Sequence, residues 1–179
     1  MAVHCRLTVV TGVVVIWLLR VCEAECPAAC SCDVVQDDVD TDAAGGRAGV
    51  AVRCAGAQLK SLAVVALPPA AVSLDVSGNR LDRLDAASLP PPAGVDRLST
   101  ANFSRNRIAA IATESFGGWS GLVSLDLSAN RLSSIDHGTF RGGAQTSLQN
   151  LDLSANRLTD VDGAFSGMTN LFRSAAPSH

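Results

Sequence analysis

Four of the six cysteines in this 179-residue chain stand close together early in the sequence and are the residues most able to do chemistry. Cys26, Cys30 and Cys32 form the run CPAACSC, and Cys54 follows in VRCAGAQLKSL. Four thiolates can hold a structural zinc ion, but zinc sites take their cysteines as two spaced pairs, and CPAACSC lacks a matching second pair. Two disulfides are the alternative use, and four cysteines allow three connectivities.

The start of the chain has the layout of a secretory signal peptide, which favours the disulfides. A weakly basic beginning precedes the apolar run Leu7–Leu19, and Cys22 and Ala24 are small residues at a cleavage position. The run is shorter than the roughly 20 residues that span a bilayer. We expect residues 1–24 to be removed in an oxidising compartment, together with Cys5 and Cys22. An uncleaved signal anchor and a lipoprotein at Cys22 are the alternatives.

Other chemistry finds little support in the residues. The net charge of −3 is unlike that of nucleic-acid-binding domains, which are usually basic. Only three histidines are present, namely His4 in the signal peptide, His137 and the terminal His179. We find no glycine-rich phosphate loop, no paired metal ligands and no free cysteine nucleophile once the four cysteines are paired. The sequence therefore predicts a protein that is not an enzyme and that needs no cofactor or metal.

An acidic segment between Cys32 and Cys54 has the spacing of part of a calcium loop, D-V-D-T-D at 38–42. Such a loop needs glycine where Ala43 stands and a bidentate glutamate where Gly49 stands. We therefore interpret the segment as a solvated insert.

Four segments of the remaining chain repeat one pattern, which sets the elements that position every candidate residue. Each has apolar residues at its fourth, sixth, eleventh and fourteenth places and an asparagine at its ninth. A fifth unit starts at Leu171 and is not completed. The four segments are AVSLDVSGNRLDRL (71–84), LSTANFSRNRIAAI (98–111), LVSLDLSANRLSSI (122–135) and LQNLDLSANRLTDV (148–161).

This pattern resembles the leucine-rich repeat family in its extracellular form, over roughly Cys26 to Leu171. The run CPAACSC with a later fourth cysteine resembles the N-terminal cap of the same proteins. The resemblance implies an α/β-type leucine-rich repeat solenoid. Its features are a short curved parallel β-sheet on the concave face, irregular convex returns and a disulfide-capped N-terminus. It also implies the pairing Cys26–Cys32 and Cys30–Cys54.

The residues agree with stacked repeats, because no single repeat can bury its own apolar side chains. Leu125 and Leu127 alternate along a strand and point to one side of it. Phe116, Phe140 and Phe165 occupy comparable places and predict a stacked aromatic column. The four asparagines are predicted to turn inward and bond backbone groups of adjacent turns, with no ligand role. They are Asn79, Asn106, Asn130 and Asn156.

The domain boundaries follow from these features. We expect a signal peptide at 1–24, a cysteine-rich cap with the acidic insert at 25–70, four repeats plus the start of a fifth at 71–171, and a tail at 172–179. The first repeat has Ala71 and a proline-rich insert (89–96), and the second has Ala101 at its fourth place. These departures shrink the core.

Exposed residues of the strands are the expected contact surface, on the concave face. Asn102-Phe103-Ser104 is a glycosylation sequon, and a glycan there would cover part of that face. A separate column of arginines follows the asparagines, at Arg80, Arg107, Arg131 and Arg157. Ser104 is a further exposed position expected in the second repeat. The predicted contact residues are Asp75, Ser99, Thr100, Asn102, Arg105, Ser124, Asp126, Gln149, Asn150 and Asp152.

The sequence thus predicts a secreted, extracellular protein-binding module for an unidentified protein ligand. A structural matrix protein of the small leucine-rich proteoglycan type is the alternative. A second cysteine-rich cap, common at the other end of this family, is missing, so self-association through that edge is a further expectation. A truncated form of a longer receptor, an incomplete gene model and a short self-pairing protein remain open explanations.

Overall fold

The computed structural model describes residues 26–35, 49–63, 65–85, 88–89, 95–161 and 163–175. The predicted signal peptide, the calcium-like run and the consecutive prolines lie outside the described residues. The strands and the helix are β1 (Ser31–Val35), β2 (Gly49–Arg53), β3 (Ala71–Asp75), β4 (Arg83–Leu84), β5 (Thr100–Asn102), β6 (Ala110–Ile111), β7 (Ser124–Asp126), α1 (Gly143–Ser147), β8 (Asn150–Asp152) and β9 (Arg173–Ala175).

One strand from each repeat enters a single sheet. The sheet has seven strands in the order β1-β2-β3-β5-β7-β8-β9. Strand β1 runs antiparallel to β2, and every later neighbour is parallel. A smaller parallel pair, β4 and β6, lies on the returns. The fifth unit contributes β9, with Ser174 in register with Leu151, the fourth place of the fourth repeat.

The strands form where they do because their fourth-place residues need a common core. Strand register aligns these residues in one row, and each is at most 3% exposed. The residues that follow at the eleventh and fourteenth places, such as Leu132 and Ile135, are also buried. The predicted parallel solenoid with inward-facing apolar rows is confirmed. The row consists of Leu74, Ala101, Leu125 and Leu151.

Aromatic rings fill the interior behind the sheet. Phe140 stacks on Phe116 at a centroid distance of 5.9 Å and on Phe165 at 6.4 Å, which confirms the predicted column. Two further rings join it, since Phe103 and Trp119 both contact Phe116 edge-on. Aromatic pairs of this kind stabilise a core by about 0.5–1.5 kcal/mol each beyond the burial of their area.

The returns contain little helix. Apart from the five residues of α1, the described returns are turns, bends and the short strands β4 and β6. Gly142 precedes α1 with a φ of 102°, and Gly143 lies so close to the backbone of Ser120 that a side chain would collide with it. The two glycines let this helical turn pack directly on the preceding repeat. None of the described helices is long and apolar enough to cross a membrane.

Candidate functional site

The concave face is built from outward-facing residues on β3, β5, β7 and β8. Because the strands are parallel and in register, equivalent residues form rows across the repeats. One row holds hydroxyl and amide side chains at the third place, and a second holds carboxylates and one amide at the fifth. The rows are Ser73, Thr100, Ser124, Asn150 and Asp75, Asn102, Asp126, Asp152.

The fifth-place row has a structural task in addition to its exposure. The Oδ1 atom of each member accepts a hydrogen bond from the backbone N–H two residues later, at 2.8–2.9 Å. This contact closes a turn at the end of each strand. One oxygen of each carboxylate therefore bonds the backbone of its own turn. No hydrogen bond to Oδ2 of Asp126 or Asp152 is found among the described residues.

The predicted contact residues divide into exposed and scaffold positions. Thr100, Gln149 and Asn150 are exposed, and Ser124 is half-buried. Ser99 is half-buried too, and its hydroxyl donates to the carbonyl of Val72 at 3.1 Å, so it supports the preceding repeat.

The prediction that Ser104 is exposed is wrong. Ser104 is 7% exposed, because β5 ends at Asn102 and the chain turns inward before the next residue can alternate back to the surface. Its neighbour Arg105 is exposed, in a left-handed backbone conformation with a φ of 55°.

The sequon asparagine lies half-buried on β5, between Asp75 and Asp126. Its Oδ1 atom accepts the N–H of Ser104. No hydrogen bond donated by Nδ2, the atom that would carry a glycan, is found in the described part of the chain. Glycosylation of Asn102 stays a prediction that this geometry permits.

The N-terminal cap closes the sheet with two disulfides, Cys26–Cys32 and Cys30–Cys54. This is the pairing that the resemblance implies. Cys54 is 1% exposed, and its N–H donates to the carbonyl of Asp75 on the first repeat. The antiparallel pair β1 and β2 is tied further by an ion pair between Asp33 and Arg53. The cap thus places a stapled hairpin over the open edge of the first repeat.

The residues of catalysis and metal binding are not brought together in the part of the chain that the structure describes. No group of three or more histidine, cysteine or acidic side chains there could hold a metal ion. His137 lies exposed on a convex return, with Nδ1 3.0 Å from the carbonyl oxygen of Gly163. It lines a small depression together with Arg141, Gln145 and Ser166. No hydrogen bond between the Ser166 hydroxyl and His137 is found among the described residues, so the two do not form a nucleophile and base pair.

Comparison with known proteins agrees with this architecture. Residues 96–145 match a family model described as "Leucine rich repeat", and residues 147–168 match a second model of the same description. The predicted resemblance to leucine-rich repeat proteins is confirmed over residues 96–145 and 147–168, and the disulfide-bonded N-terminal cap that it implies is present.

A named relative extends the comparison. Tsukushi-A of Xenopus laevis is 38% identical over 84 residues, which are 47% of this chain and 24% of that protein. The matched part therefore spans about a quarter of the length of the relative. The leucine-rich repeats support a protein-binding role and suggest a protein without enzymatic activity.

Proposed function

We propose that this chain is an extracellular module that binds a protein ligand through its concave face. The observation that carries the proposal is the third-place row of polar side chains, which is held in register across four parallel strands. Thr100 and Asn150 are its exposed members, and the exposed Gln149 lies beside it. A rigid, repetitive scaffold fixes these polar groups relative to one another. Preorganised surfaces of this kind lose little conformational entropy when a partner binds.

The extracellular location is supported by the cap. Two disulfides persist in oxidising compartments and are rare in the cytosol. The hydrophobic start of the chain supplies the signal that would take it there.

Intact mass tests the location first. When the full chain is expressed in a eukaryotic cell, we expect a secreted product that starts at Glu25 and gains four hydrogens on reduction. A mass loss on enzymatic deglycosylation that disappears in Asn102→Gln would assign the glycan. A product that stays in the cell with residues 1–24 attached and free thiols would refute the proposal.

Binding of the secreted chain to cell surfaces tests the concave face. Gln149→Arg together with Asn150→Arg adds bulk and charge to two exposed residues whose side chains make no hydrogen bond in the described structure. We expect this variant to lose most of its binding. Thr169→Arg, on an exposed convex return, is the control and should bind like the unaltered chain. Equal binding by both variants would place the contact surface elsewhere, and binding to collagen alone would favour a structural matrix role.

A further inference from the structure

The edge of the solenoid beside the concave face carries an array of arginines that the protein itself does not use. Each repeat places an arginine directly after its inward-turned asparagine, and all four arginine side chains are exposed. No ion pair or hydrogen bond of their guanidinium groups is found among the described residues. The members of this arginine column are Arg80, Arg107, Arg131 and Arg157.

Backbone hydrogen bonds fix the column in place. The N–H groups of the three later members donate to the carbonyl oxygen of the eleventh-place residue of the preceding repeat, and that of Arg80 donates to the carbonyl oxygen of Leu59 in the cap, at 2.8 Å in every case. Adjacent members therefore stand one strand spacing apart, about 4.8 Å. Each guanidinium group carries a positive charge, so the column holds like charges in a row. Among the described residues, no ion pair joins a guanidinium group of the column to a carboxylate of the concave face.

The charge of this edge is opposite to that of the whole chain. The four segments 78–83, 105–110, 129–134 and 155–160 contain six arginines and two aspartates, whereas the chain as a whole has a net charge of −3. The two aspartates, Asp82 and Asp160, belong to the first and last repeats. The two middle repeats present Arg105, Arg107 and Arg131 with no carboxylate in their segments.

We infer that this edge is a binding site for a sulfated polysaccharide. Clustered basic side chains attract polyanions, and a planar guanidinium can bond two oxygens of a sulfate group at once. The inference goes beyond the proposed function, although it rests on the same extracellular location. Nucleic-acid-binding domains are usually basic overall, whereas this chain has a net charge of −3, which argues against nucleic acid as the partner.

Other polyanions fit the edge less well. An extended acidic peptide presents side chains on one face about every 6.8 Å, which does not match a spacing of about 4.8 Å. An anionic membrane surface usually takes up apolar side chains beside the basic ones. The exposed neighbours of the column are small or polar instead, such as Ala109, Ser133 and Thr159. A linear, densely charged sugar chain requires neither a spacing of about 6.8 Å between basic side chains nor apolar side chains beside them.

Direct binding of heparin oligosaccharide to the secreted full chain tests this inference. The test variant is Arg107→Gln with Arg131→Gln, and the matched control is Arg97→Gln with Arg141→Gln on the returns outside the column. Both variants change the net charge equally. We expect the test variant to lose at least about tenfold in affinity and to flatten the slope of log K against log salt by about two. The control variant tests whether the loss of any two positive charges has the same effect. Fully desulfated heparin, used as a second probe, tests whether the sulfate groups are recognised.

Several outcomes would overturn the inference. They are an unaltered chain that does not bind heparin, equal losses in both double variants, and equal binding of the desulfated probe. Binding to vesicles that contain phosphatidylserine without binding to heparin would assign the edge to a membrane instead. The thermal midpoint of the test variant should equal that of the unaltered chain, because the two side chains have no partner in the described structure. Because binding is measured on protein that has already been secreted, a failure to bind heparin is distinct from a failure of secretion.

Discussion

Asn130 shows how one side chain can connect two neighbouring turns of the solenoid. Its Oδ1 atom accepts the N–H of Ile108 in the preceding repeat, at 3.1 Å. Its Nδ2 group donates to the carbonyl oxygens of Phe103, Leu127 and Ser128. Only an amide supplies both an acceptor and two donors at this point. The other three asparagines repeat the arrangement, so the predicted inward orientation and backbone bonding of these residues are confirmed.

Replacement of Asn130 by alanine should therefore be costly. The N–H of Ile108 would be left buried without its partner, which we expect to lower the free energy of unfolding by about 2–3 kcal/mol. Urea denaturation of the secreted chain measures this change. Asn150→Ala removes an exposed amide of the same size and should stay within about 0.5 kcal/mol. If Asn130→Ala lowered the free energy of unfolding by less than about 0.5 kcal/mol, the hydrogen bonds of the four asparagines would not contribute to stability.

The residue before each asparagine adopts a left-handed backbone. Gly78 has a φ of 65°, whereas Arg105, Ala129 and Ala155 have φ values of 53–55°. In this conformation the N–H of Ala129 donates to the carbonyl oxygen of Ser154, which continues the ladder beyond the strand. A side chain in this region costs roughly 1–2 kcal/mol, so the three non-glycine residues are strained.

Reciprocal substitutions at this place should have opposite effects on stability. Gly78→Ala meets only Gly56 N, at 3.8 Å, so backbone strain alone should lower the free energy of unfolding, by about 1 kcal/mol. Ala129→Gly should raise it by about 0.5 kcal/mol, after the greater flexibility of glycine in the unfolded chain is subtracted. Ala109→Gly, at an exposed position without positive φ, should be destabilising. If Gly78→Ala raised the free energy of unfolding, a side chain would not be strained in the left-handed conformation at this place.

The cap is the element whose contribution to stability is easiest to isolate. The Cys30–Cys54 bond closes a sequence separation of 24 residues, and the Cys26–Cys32 bond closes one of 6. Loop-closure entropy then predicts a contribution of about 3 kcal/mol from the longer loop and about 2 kcal/mol from the shorter one.

Paired alanine substitutions should reproduce that order. Cys30→Ala with Cys54→Ala should lower the urea midpoint and the secreted yield more than Cys26→Ala with Cys32→Ala. The longer bond also holds the buried Cys54 against the first repeat, which adds to the difference. Each double variant should gain two hydrogens on reduction instead of four. A larger loss from the shorter loop would show that strain or packing outweighs the entropy of the unfolded chain.

The strands and their core row could be predicted from the sequence because they depend on a period that recurs in every repeat. The column of Phe116, Phe140 and Phe165 was predictable for the same reason. Phe103 and Trp119 were not assigned to it, since each occurs in one repeat only. Phe103 stands two residues after Ala101, and the small residue and the large ring are both buried there. Such local exchanges of volume depend on three-dimensional packing and leave no periodic signal.

The candidate site was predictable only in outline. Alternation along a strand placed Thr100 and Asn150 on the surface correctly. It failed at Ser104 because the strand ends two residues earlier and the turn that follows obeys no alternation. The hydrogen bonds of the fifth-place row, and the absence of partners for the arginine column among the described residues, required coordinates. Both observations rest on which neighbouring groups lie within reach, and a sequence pattern does not specify that.

At the scale of the whole molecule, stability should depend on position along the sheet. Each strand contacts only its two neighbours, so the protein approximates a one-dimensional stack. Strands β5 and β7 have parallel neighbours on both sides, whereas β1 and β9 are the edges of the described sheet. Interior strands should open only when the stack itself breaks. Edge strands can open alone.

Hydrogen exchange followed by mass spectrometry tests this gradient in the secreted chain. Peptides that contain β5 and β7 should exchange at least about tenfold more slowly than those that contain β9. Leu125→Ala, in the middle of the core row, should cost about 2–5 kcal/mol and accelerate exchange on both sides of β7, because Leu125 is in register with Ala101 and Leu151. Val72→Ala, half-buried on β3, is a milder control. Equal exchange rates in every strand would show that the described repeats unfold as one cooperative unit, in which position along the stack does not determine local stability.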